Sequence, residues 1–143
     1  MTTEIAIGIA GLAIAWLAYQ RTIRDKAKEE KQREKELEDE KNALLVKFRL
    51  TQTIAKQVRD GLTEYATVND AWDKEIFPGS SYRDYINTMT ESHKVCLSDE
   101  LYEKTRKEIY TKAEIQLLAN EIEPQYRALS EMKNGFLAYI RPQ

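Results

Sequence analysis

Apolar and polar positions divide this chain into three stretches of different texture. Ile5 to Tyr19 reads IAIGIAGLAIAWLAY, fifteen residues without a charge. Residues 21–43, RTIRDKAKEEKQREKELEDEKNA, hold almost no large apolar side chain beyond Ile23 and Leu37. From Leu44 onward apolar residues return at Phe48, Ala55, Val58, Leu62, Tyr65, Trp72 and Ile76, with Thr51 and Asn69 filling the missing steps. That alternation of three and four is the mark of a helix with one buried face. The fold class expected is all-α: a single N-terminal transmembrane helix, a charged helical stalk and a small C-terminal helical bundle. The boundaries expected are 1–20 for the anchor, 21–43 for the stalk and 44–143 for the bundle.

Fifteen helical residues rise about 22 Å, short of a hydrocarbon core of about 30 Å. Thr2, Thr3 and Gln20 extend the segment, and long basic side chains can snorkel outward. Trp16 and Tyr19 lie at the end next to Arg21 and Arg24, where amphipathic rings and cations serve as interfacial anchors. The N-terminal flank carries Glu4 and no Lys or Arg, whereas Arg21, Arg24, Lys26 and Lys28 follow the span. The positive-inside rule then places the bundle in the cytoplasm and the N-terminus outside. A cleaved signal peptide would need a basic leader, and an in-plane helix would need a polar face. A buried core helix is the remaining rival for so short an apolar stretch. Gly8, Gly11, Ala15 and Ala18 form one stripe of small residues, and Ala6, Ala10 and Ala13 a second. Small stripes let backbones approach in lipid, so a homo-oligomer is expected.

The stalk consists of strong helix formers without Gly or Pro. Glu29 with Arg33, Lys26 with Glu30 and Lys35 with Asp39 stand at i, i+4 spacing, which suits ion pairs. A coiled-coil seam taken from Ile23 runs through Ala27, Glu30, Glu34, Leu37, Lys41, Leu44 and Phe48. Its charged middle favours a solvated spacer, holding the following domain off the membrane, over a tight self-pairing coil. The half next to the span is net positive, which suits anionic lipid headgroups.

The bundle is punctuated by Pro78-Gly79, which ends the first helix near Phe77. A short helix is expected between Ser80 and Val95, another after Ser98 with Asp99 and Glu100 in its first turn, and a last one opened by the capping box Thr111–Glu114. This last helix reaches Ile140, with Pro124 a kink or break and Gly135 a weak point. No segment reads as strand. Leu101, Tyr102, Ile109, Tyr110, Ile115, Leu117 and Leu118 complete the expected apolar set.

Charge and composition narrow the function. Net charge is −2 over 143 residues, without the basic excess that general nucleic-acid binding needs. Cys96 and His93 are single representatives of their kinds, so no intrachain disulfide is available, in keeping with a reducing compartment. HExxH, Walker and GxGxxG patterns are absent. Neither catalysis nor a metal or cofactor is expected. Tyr82, Arg83, His93, Lys94, Arg106 and Lys107 mix aromatic and basic side chains, a chemistry that stacks bases and holds phosphates. They are the candidates for an anion or nucleotide ligand; the alternative is an aromatic core with a solvated basic rim.

Two functions fit. One is a single-pass, membrane-anchored, self-associating helical adaptor or scaffold that presents its cytoplasmic domain to a protein partner, the tether raising effective concentration. The other is a membrane-perturbing effector whose cytoplasmic domain senses a signal such as a nucleotide and clusters the spans. Small effectors of bacterial antiviral defence have that layout. Membrane lipid, other copies of the chain and a cytoplasmic protein are the partners expected.

Overall fold

A computed structural model describes residues 2–137, with side chains described from 11 to 136. The chain is mostly helical. Helix α1 spans Thr2–Val68, followed by β1 (Glu75–Phe77), β2 (Ser80–Ser81), α2 (Tyr82–Cys96), α3 (Asp99–Lys107), α4 (Lys112–Met132) and a π-helical turn, Lys133–Leu137. The chain divides into two compact units, Met1–Asp39 and Glu40–Gln143. The second unit begins earlier than the apolar pattern suggested because polar residues join it. Lys41 donates through Nζ to the carbonyls of Arg106 and Glu108, at 2.7 and 2.5 Å. These carbonyls close α3, and a cation there satisfies acceptors that the helix itself leaves open.

α1 stops at Val68, not at Phe77. The Ala71 N–H bonds the Ala66 carbonyl at 2.9 Å, and Asp70 takes φ +49°. This is a Schellman closure with Asp in the left-handed position that usually holds Gly. Ala66 and Ala71 are both buried against it. With Asp in place of Gly, the stop carries no breaker signal in the sequence.

The expectation of no strand is also corrected. β1 and β2 pair antiparallel, Glu75 opposite Ser81 and Phe77 opposite Ser80. Pro78-Gly79 turns the chain between them, with Gly79 at φ +81°, the residue pair and positive φ that a type II turn requires. The Tyr82 and Arg83 N–H groups bond the carbonyls of Lys74 and Trp72, and Ser81 accepts from Asp84 N–H. The N-terminus of α2 is thereby satisfied.

Ser98 caps α3 by accepting from Leu101 N–H. Thr111 and Glu114 form the expected reciprocal capping box on α4. Pro124 neither breaks nor ends that helix, which continues to Met132. Gly135 lies in the π-helical turn, and Ile140 lies outside the described residues.

Buried apolar residues hold the second unit. Val58, Leu62, Ala66, Ala71, Tyr82 and Ile86 form one cluster, with Tyr65, Trp72, Met132 and Phe136 packed around it. Leu44, Leu45, Phe48, Leu97, Ile115 and Ile122 are buried as well. Trp72 is only partly buried, while Ile109 and Leu117 are 97% and 65% exposed. The helical period counted these last two as core, but neither faces it. Among the described residues, no helix is long and apolar enough to cross a membrane.

Candidate functional site

The N-terminal segment is helical from Thr2. Gly8, with Ile5 to Ala10 as a whole, lies outside the residues whose side chains are described. Leu12, Ile14, Trp16, Leu17 and Tyr19 are each 59–73% exposed. An exposed run of large apolar side chains marks an interaction surface. Trp16 and Tyr19 stand one turn apart, ring centroids 6.3 Å from each other, and Arg21 and Arg24 follow, both exposed. A side chain added at Gly11 would meet nothing within 4 Å, and Ala15 and Ala18 are exposed on the same helix.

The six residues expected to receive an anion do not converge. Tyr82 and Arg83 open α2, whereas His93 and Lys94 stand in its last turn, about 16 Å further along at the helical rise. Arg106 and Lys107 end α3. Tyr82 is buried and stacks on Tyr65 at 5.5 Å; burial, with Tyr65 adding to it, raises its phenol above the ordinary value. Arg83 Nε bonds Asp73 at 3.2 Å and its guanidinium lies 5.4 Å from the Trp72 ring centroid. Lys94 pairs with Glu91 and Arg106 with Glu103. The Arg106 hydrogen bonds hold the Glu103 carboxyl below its usual range. His93 is half-buried, and among the described residues its Nδ1 finds no hydrogen-bond partner. Desolvation, reinforced by Arg59 and opposed by Asp99, lowers its pKa. Arg83, Lys94 and Arg106 are therefore already engaged by carboxylates. Their positions fit the aromatic-core and basic-rim alternative.

A polar hub that the sequence did not disclose ties α1 to the α2–α3 junction. Gln52 is buried. Its Nε2 donates to the Leu97 carbonyl at 2.7 Å and to Asp99 Oδ1 at 3.2 Å, and its Oε1 accepts from Arg49 Nη1 at 3.0 Å. Arg49 also pairs with Asp99 at 2.7 Å and lies 3.6 Å from the Tyr102 ring centroid. The available signal was a polar residue four positions after Phe48 on the buried face. Lys47 makes the corresponding link to α4, pairing with Glu123 at 2.8 Å and lying 3.9 Å from the Tyr126 ring centroid. Beside Phe48, a cavity of about 200 Å³ opens between the helices, lined by Leu44, Leu101, Leu118 and Ile122 with the exposed Cys96 among its walls.

Among the described residues, no group of three or more His, Cys, Asp or Glu side chains is placed to hold a metal. No family model, curated protein or solved structure matches the chain.

Proposed function

We propose that the chain is a membrane-anchored, self-associating helical adaptor, with its N-terminal helix in lipid and its second unit offered to a cytoplasmic protein partner. The observation that carries this reading is the exposed apolar run from Leu12 to Tyr19, which ends in an aromatic pair and is followed by Arg21 and Arg24. The uncharged helix from Ile5 to Tyr19 rises about 22 Å, and snorkelling of Arg21 and Arg24 reduces its shortfall against a hydrocarbon core of about 30 Å. Beyond its first turn, the helix pairs its backbone groups internally, as lipid demands. The basic flank orients the second unit toward the cytoplasm. Adaptor function draws support from the second unit, whose exposed surface includes Val46, Leu50, Ile109 and Leu117.

The test is expression in bacteria of the full chain and of a chain lacking residues 1–20. The full chain should stay with carbonate-washed membranes and co-purify with a protein partner, and the truncated chain should be released. Release of the full chain by carbonate would refute the anchor. Growth arrest and dye entry that require residues 1–20 would replace the adaptor by a membrane-perturbing effector.

A further inference from the structure

The three i, i+4 pairs expected within the stalk do not form. Among the described residues every ion pair lies at residue 40 or beyond. Between residues 21 and 39 the side-chain hydrogen bonds are Thr22 to the Ala18 carbonyl and Gln32 to Glu36. Yet the charges are ordered around the helix. Arg21, Arg24, Lys28, Lys31 and Lys35 recur at steps of 3, 4, 3 and 4, and α1 is continuous through them. On a wheel of about 100° per residue they occupy an arc of about 80° that no other residue between 21 and 35 enters. Asp25, Glu29 and Glu36, at steps of 4 and 7, form a second stripe centred about 100° from the first. All eight side chains are exposed.

We propose that the stalks of neighbouring copies lie side by side, parallel and in register, with the basic stripe of one against the acidic stripe of the next. This rests on the self-association reading, since a common anchor is what gives the stalks one direction and one height. In register, Arg24 and Lys28 stand level with Asp25 and Glu29 of the adjacent copy, and Lys35 with its Glu36. The two stripes point in different directions, so the contact is heterologous: each copy offers a different face to each neighbour. An angle of about 100° between the faces suits a ring of four or five copies, whose interior angles are about 90° and 108° by elementary geometry. The arrangement also explains why a stalk without an apolar seam carries its charges in stripes. Individually weak, salt-screened pairs set register and neighbour choice without locking the helices together.

A mixture of ¹⁴N- and ¹⁵N-labelled full-length chains in detergent or lipid nanodiscs, treated with a zero-length carbodiimide, tests this. Lys–carboxylate links between light and heavy chains should appear within residues 21–39 and fade in high salt. Reversing the basic stripe (Arg24, Lys28, Lys31 and Lys35 to Glu) should cut their yield about tenfold, as two or three weakened pairs allow. Reversing the acidic stripe (Asp25, Glu29 and Glu36 to Lys) should do the same. Both reversals in one chain should restore the links. Failure of the double reversal to restore them overturns the proposal. So does an effect of the basic reversal alone that appears only on anionic lipid, which would assign the stripe to headgroups. If the chain still resists carbonate extraction and keeps its oligomeric size, that outcome removes the stalk pairing and leaves the anchored, self-associating adaptor standing.

Discussion

Replacing Gln52 by Leu isolates the hub that joins α1 to the α2–α3 junction. The two side chains are similar in volume, so the change leaves little cavity and chiefly removes hydrogen bonds. Arg49 keeps its 2.7 Å partner in Asp99, which limits the loss on the exposed side. The Leu97 carbonyl is different: its bond from Gln52 is buried, and among the described residues no other donor reaches it. An orphaned buried acceptor costs about 1–3 kcal/mol. For a folded unit of this size each kcal/mol lowers Tm by about 4–8 °C. Arg49→Met, which removes the largely solvent-screened pair with Asp99 and the bond to Gln52 Oε1, should cost less than Gln52→Leu. Gln52→Glu should cost more than Gln52→Leu at neutral pH, because the introduced carboxylate cannot donate to Leu97 and stands beside Asp99. Burial raises the pKa of that carboxyl in the folded state, so the excess cost should shrink as pH falls and the group regains a donor proton. Urea unfolding of the full chain reads these differences through Trp72 fluorescence in a Trp16→Phe background. A Gln52→Leu variant within about 0.5 kcal/mol of the parent would show that the buried hydrogen bond does not hold the junction.

Leu62 is fully buried in the Val58–Ile86 cluster, so Leu62→Ala should cost about 2–5 kcal/mol in the same urea titration, whereas Trp72→Ala, which removes the fluorescent reporter and is followed by circular dichroism instead, should cost less than full burial of its ring would imply. Gly79→Ala places a Cβ at φ +81° and should cost about 1–2 kcal/mol by thermal denaturation, although space around it is open. His93 has a lowered pKa in the folded state, so the unfolded chain binds the proton more readily. Stability should be intact above the unfolded value of about 6.5 and decline as pH drops through it, and His93→Gln should remove that slope from the pH–stability curve. A Cβ at Gly11 meets nothing within 4 Å among the described residues, so Gly11→Leu should give a smaller detergent-solubilised particle if Gly11 lies between copies, and an unchanged particle would exclude Gly11 from such a contact.

Local chemistry was legible in the sequence wherever adjacent residues decide the outcome. Ser98 and Thr111 start helices because their hydroxyls reach N–H groups three residues on, and Pro78-Gly79 turns the chain because those two residues fix the backbone torsions the turn needs. Phe48, Val58 and Leu62 were placed in the core by periodicity alone, since a helix that buries one face repeats it every three to four residues. The N-terminal apolar run and the charged stalk were equally plain, being properties of composition. What tertiary structure decided was everything that depends on which face meets which. α1 ends at Val68 because Ala71 folds back on Ala66 and holds Asp70 in an unfavoured conformation. Ile109 and Leu117 fit the helical period but stay exposed. Arg83, Lys94 and Arg106 looked like companions in one anion site, yet helix length keeps them apart and nearby carboxylates engage each one. Gln52, an ordinary polar residue in the string, became the hub of a junction because the chain brought a carbonyl from 45 residues away to its amide. Sequence fixes the period and the caps through short-range sterics and hydrogen bonds; partners distant in the chain are assigned only when the helices pack.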